Sequence, residues 1–195
     1  MSSKNGMFYH KSSGTNIKEA AWWEEQCVRR QGGYDFDKSN LPATFRWLPK
    51  GSVLKFNKAT GKVALVKSAE VAAKANAEAT TLKIKDNGLF AVGDKIAGST
   101  ISKIVVAEGV ATLTVTALAA GVEAGDAVSE YNPEADTLIG LAYETTDLRD
   151  NDFPQVTPTL VAMEIEKDTM PYPVNDAIIE GLNKAGVGTH LFRVL

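Results

Sequence analysis

The sequence predicts a mainly β protein: a compact β-barrel or β-sandwich domain with an N-terminal helical arm and one short C-terminal helix. Three observations lead there. Short segments alternate apolar and polar residues at period two, as half-buried strands do. Gly, Asn and Asp clusters recur between those segments at short spacing, the mark of turns in all-β folds. Apolar residues make up 44% of the 195 residues, enough to build a core.

Residues 1–14 are polar and serine-containing, and read as a mobile arm or one that orders only on a partner. A helix is expected over about 16–31. Asn16 would cap it with Glu19 as its capping-box mate. Arg29 and Arg30 suit its C-terminal end, and Gly32-Gly33 would stop it. Ile17, Ala20, Ala21, Cys27 and Val28 give it an apolar stripe, and Trp22 and Trp23 add bulk. Adjacent helical residues point about 100° apart, so one face cannot bury both tryptophans. Either one of them meets a neighbouring molecule or the helix lies in a groove of its own domain. Residues 34–49 carry Tyr34, Phe36, Phe45 and Trp47 without a steady period, and read as an extended connector. These expectations divide the chain into an arm, 1–46, and a β-rich domain, 47–195.

From Lys50 onward GSVLKF, NKATGK and VALVK read as strand, turn, strand. Val63, Leu65, Lys67, Ala69, Val71 and Ala73 continue at period two. KANAEA could instead form a helical turn. TTLKIK is a further strand. ISKIVVAEGVATLTVT reads as a hairpin turning at Glu108-Gly109, with Leu113 and Val115 on one face and Thr112, Thr114 and Thr116 on the other. AVSEY, TLIGLAYE and PTLVAMEIEKD extend the pattern. Two prolines in TMPYPV forbid helix and regular pairing. NDAIIEGLNKAG then predicts the short helix, started by Asn175 or Asp176 and buried through Ile178, Ile179 and Leu182. THLFRVL is expected as a closing strand.

Charge and cysteine count narrow the function. The net charge is −3 and the basic residues are scattered, which argues against nucleic acid as a partner. Cys27 is the only cysteine, so neither an intrachain disulfide nor a thiolate metal cluster can form. No apolar run reaches the ~20 residues of a membrane span, and the N-terminus lacks a signal-peptide core. Synthesis in a reducing cytoplasm is expected, with no membrane partner.

Catalytic groupings are sparse. The histidines are His10 and His190, far apart in sequence. Cys27 reads as a small buried hydrophobe rather than a nucleophile. Gly61-Lys62 resembles the end of a phosphate loop, but Phe56 and Val63 occupy positions that need Gly and Ser or Thr. Asp35 and Asp37, and Asp150 and Asp152, share sides of extended segments. The second pair lacks the glycine and distal glutamate of a calcium loop. No cofactor, metal or catalytic residue is assigned.

Two Gly-Asp pairs remain, Gly93-Asp94 in FAVGDKIAG and Gly125-Asp126 in GVEAGDAVSE. Glycine permits positive φ and aspartate bonds nearby amides, so each pair is expected to close a turn and open a strand.

The order RWLPKGSVLKFNKATGKVALVKSAEVAA, TTLKI, LFAVGDKI, VEAGDAV, then Met170-Pro171-Tyr172-Pro173-Val174 before a short helix, resembles tailed-phage head fibre or head decoration proteins, nearest those of Bacteroidetes phages and prophages. The likeness covers about 47–195. It implies a non-enzymatic virion protein on the outer capsid surface, held by the major capsid protein and often trimeric. The expected contact residues are Trp22, Trp23, Tyr34, Phe36, Phe45 and Trp47. Two other classes stand beside it. One is a carbohydrate-binding or adhesin module using Tyr131, Tyr143 and Tyr172. The other is a hydrolase using Asp94 or Asp126, for which the sequence offers no oriented base.

Overall fold

The structure, a computed structural model, describes residues 17–22, 25, 27–149, 154–162 and 165–185. It is mainly β. The largest sheet has six antiparallel strands. In sequence these are β6 (Ser68–Ala73), β7 (Thr81–Lys85), β8 (Lys95–Ile96), β9 (Ser99–Ala107), β10 (Val110–Val115) and β11 (Ala127–Ser129). In space their order is β11-β6-β7-β10-β9-β8. The sheet curls enough for its two outer strands to meet, since Ala97 N–H donates to Ser129 C=O at 2.9 Å. Leu82, Ile84, Leu113, Val115 and Val128 fill the hollow. The alternation of the sequence is kept here: Leu113 and Val115 are buried, while Thr114 and Thr116 face out.

A smaller sheet orders β12 (Thr137–Leu141), β4 (Val53–Asn57) and β5 (Lys62–Leu65) as β12-β4-β5. It is covered on both faces. Leu54, Val63 and Leu65 pack with Phe36, Leu48 and Val156 on one side. Val53, Leu138 and Leu141 pack under the helix α1 (Asp176–Ala185) on the other. That helix starts where expected. Asn175 Oδ1 accepts the Ile178 N–H at 2.9 Å, and Ile178 and Leu182, one turn apart, are its buried residues.

Three two-stranded pairs complete the body: β1 (Val28–Arg29) with β15 (Thr159–Val161), β2 (Tyr34–Asp35) with β14 (Gln155–Val156), and β3 (Trp47–Leu48) with β13 (Thr146–Asp147). The helix expected over about 16–31 is not what the described residues there form. Residues 17–22 are irregular and β1 follows. Tertiary partners take the amides a helix would use: Ala20 N–H donates to Lys50 C=O at 3.1 Å, and Ala21 N–H to Thr169 Oγ1 at 2.8 Å. Propensity yields to packing here, with the Ala20 methyl against Gly51. Likewise KANAEA turns without becoming helical, with Glu78 at φ 66°. The boundary expected at 46/47 falls inside this body, because β1, β2 and the buried Trp22 and Phe36 are built into it. Residues 186–195, with the expected closing strand, lie outside the described set.

Candidate functional site

The two Gly-Asp turns have the same wiring. Asp94 Oδ2 accepts the Ala91 N–H at 2.7 Å, and Asp94 N–H donates to Ala91 C=O at 3.1 Å. Asp126 Oδ2 accepts the Glu123 N–H at 2.8 Å, and its own N–H donates to Glu123 C=O at 3.2 Å. Gly93 at φ 97° and Gly125 at φ 91° supply the left-handed residue that each turn requires. The strand follows at once in both cases, β8 after the first and β11 after the second.

One of these turns carries an additional group. Lys67, between β5 and β6, has a wholly buried side chain, and its Nζ lies 2.6 Å from Asp94 Oδ2. Asp94 itself retains partial exposure, 19% of its side chain. The ammonium thus finds its counterion at the sheet's closing edge. The Asp94 carboxylate is doubly engaged, by a backbone amide and a buried cation.

The other carboxylates singled out in the sequence do not converge. Asp35 is exposed in β2. Asp37 Oδ1 accepts the Ser39 N–H at 3.0 Å, and bonding to Ser39 holds its carboxyl below the usual range. Asp150, Asp152, His10 and His190 lie outside the described residues. Cys27 is half-buried against the core under α1. Among the described residues no three His, Cys, Asp or Glu side chains group to hold a metal ion, and no helix is long and apolar enough to cross a membrane.

The aromatic residues divide. Trp22 is buried, with the Lys50 ammonium 4.3 Å from its ring centroid. Phe36 is buried beside Val63. Tyr34 is half-buried, edge-on to Phe56 at 6.0 Å. Trp23 lies outside the described residues. Phe45 and Trp47 are half-buried like Tyr34, and Phe45 packs against the same core. Arg149 stacks on Trp47 at 4.6 Å, and Phe45, Arg46 and Arg149 line a cleft of about 490 Å³ with Lys38, Leu41 and Leu148. Arg149 also forks onto Asp147 across 2.6 and 3.0 Å contacts, which holds the Asp147 carboxyl down at about 2. The tyrosines considered for sugar stacking are packed into the fold: Tyr131 and Tyr143 against one core, Tyr172 against another.

A larger cleft, about 810 Å³, runs between the six-stranded sheet and the segment Met170–Val174 that leads into α1. Its walls mix signs, Lys18, Lys85 and Lys167 against Glu70, Asp86, Asp126, Asp168 and Asp176. Lys67, the most informative polar residue, carries a signal in the sequence: a lysine at an inward position of a period-two apolar run needs a buried partner. Which carboxylate supplies it is not readable there.

Comparison of the chain with family models, with curated proteins and with solved structures returned no match.

Proposed function

We propose that this chain is a non-enzymatic structural virion protein, a head fibre or capsid decoration protein on the outside of a phage head. One observation carries the non-enzymatic part. The carboxylates best suited to chemistry, Asp94 and Asp126, are spent on closing two equivalent turns, and Asp94 also neutralises Lys67. Side chains committed in this way are poorly placed to exchange protons with a substrate. The virion part rests on the landmark order ending in Met170–Val174 and α1. Its partners are then the major capsid protein and further copies of the chain, as a trimer.

Within this reading the capsid contact falls to Phe45, Arg46 and Trp47. Arg46 is exposed, Phe45 and Trp47 are partly so, and all three gather around Arg149; aromatics with arginine dominate binding hot spots. The test uses full-length protein and preformed heads lacking it. Saturable co-sedimentation, reduced at least tenfold by R46E, a change at an exposed side chain, with unchanged thermal unfolding, is the expected result. Absence of wild-type binding to heads, together with substrate turnover or saturable glycan binding, would overturn it.

A further inference from the structure

Among the described residues, the six-stranded sheet is left open along one strand. β8 pairs with β9 only at Thr100 and Ser99, and the Gly93-Asp94 turn adds two backbone bonds to Ile101. Beyond that, β9 continues to Ala107 with β10 on one side and no strand on the other among the described residues. Its pairing fixes which groups face outward. Glu108 at φ 52° and Gly109 at φ 76° make a two-residue turn closed by Ala107 and Val110. In such a hairpin the closing residues bond each other, so Ala107, Val105 and Lys103 spend their backbone groups on β10. Ile104 and Val106 therefore present their N–H and C=O to the open side. Val105 and Val106 are also about half exposed, at 50% and 53%. A strand edge with outward backbone groups and exposed valines is a template for another strand.

We propose that the occupant is β9 of a second copy, paired antiparallel across a two-fold axis at Val105. The register follows from the ladder. A two-fold normal to an antiparallel sheet places a residue opposite itself, and only outward-facing residues can form the bonded pairs. With Val105 opposite the partner's Val105, Ile104 meets the partner's Val106 in a bonded pair, and Val106 meets the partner's Ile104. All four residues' outward groups are satisfied. Val105 then occupies a non-bonded pair, where side chains approach most closely.

Charge favours this occupant and register. Lys103 falls opposite the partner's Ala107, beside the partner's Glu108 at the mouth of its turn. Each end of the ladder sets one lysine near one glutamate. The two copies of Lys103 are held four residues apart along the ladder, about 13 Å. The contact is small beside the roughly 1,200–2,000 Å² of stable interfaces, so the pairing is weak and concentration-dependent in solution. It is a different surface from the Phe45–Trp47 side, and it stands whether or not the virion reading does.

The test is register-specific cross-linking of the full chain in a C27S background. V105C is expected to form a disulfide-linked dimer on mild oxidation, at least tenfold faster than V92C, whose position is 64% exposed but lies off the strand. Adding V106P, which removes an outward N–H and no bond to β10, should abolish that advantage, and circular dichroism should show the fold kept. Equal rates for V105C and V92C at millimolar protein, or a V105C rate untouched by V106P, would show that β9 does not pair with itself.

Discussion

Lys67 Nζ lies 2.6 Å from Asp94 Oδ2, and the lysine side chain has no solvent exposure. Breaking such a pair from one side leaves a buried charge without compensation, which costs about 3–5 kcal/mol. D94N should therefore be far more damaging than its modest change of shape suggests. K67M should be close to neutral, because methionine fills the same space and Asp94 keeps the Ala91 amide and some contact with water. Urea unfolding of D94N, K67M and the double variant tests this. The double variant should recover most of the stability lost by D94N. Equal losses for both single variants would mean that an uncompensated lysine charge is not what makes D94N costly.

The twin turn supplies the control. Asp126 closes the same backbone loop as Asp94, but its carboxylate bonds the Glu123 amide at the surface, whereas Asp94 also meets the buried ammonium of Lys67. D126A should cost only what one exposed side-chain-to-backbone bond is worth, about 1 kcal/mol. A loss matching that of D94N in the same urea series would refute the distinction.

These two residues show how far the sequence can be read. The Gly-Asp pairs are legible as turns because the needed conformations belong to few residues. The hairpin at Glu108-Gly109 and the cap at Asn175 are legible for the same reason: local chemistry decides them. The described residues of 17–31 depart from the expected helix because helix signals there are outweighed by long-range bonds, Ala20 to Lys50 and Ala21 to Thr169, that no local pattern announces. The aromatic contact set is only partly legible. An aromatic side chain suits a core and an interface equally, and Trp22 and Phe36 go to the core. That Lys67 needs a partner is readable from its inward position, but Asp94, 27 residues away, is fixed only by sheet curvature.

Gly140 is where β12 passes closest to β15. It has φ 137°, and a Cβ there would run into the Thr159 carbonyl oxygen. That oxygen belongs to the backbone of the buried body and cannot swing aside as a side-chain tip would. G140A combines a disfavoured dihedral with this clash and should cost about 3 kcal/mol. Thermal unfolding should show it. The contrasting G61A sits in an open turn with φ 69° and nothing near its Cβ direction, so it should lose only about 1 kcal/mol. Similar melting temperatures for the two variants would remove the packing argument.

Arg149 depresses Asp147, first through its side-chain hydrogen bonds and then through its backbone N–H. A carboxylate lowered from 3.8 to about 2 in the fold favours the folded arrangement above pH 3.8, and that preference disappears as pH falls through about 2. The group is at the surface, so the consequence is local: below pH 2 the Arg149 fork over Trp47 should loosen. Carbon-detected NMR titration of the Asp147 carboxyl should give a midpoint near 2. R149Q should raise that midpoint toward 3.8 and alter Trp47 fluorescence at neutral pH. An unchanged midpoint in R149Q would sink the attribution.

The described residues among 17–46 are built into the core. Within them Phe36 packs beside Val63, Trp22 and Ala20 sit under the α1 side, and β1 and β2 supply partners for β15 and β14. Burying a large aromatic side chain is worth roughly 3 kcal/mol, so losing Phe36 and Trp22 together removes much of a typical domain's roughly 5–15 kcal/mol stability. The 47–195 fragment should therefore show no cooperative unfolding transition by calorimetry, and its amide protons should exchange rapidly in β4, β5 and β12. A fragment that melts cooperatively near the full-length temperature would restore the arm-and-domain division. The distinction matters for the functional test. Loss of head binding by the fragment would reflect an unfolded chain, whereas R46E alters an exposed side chain and leaves the core intact.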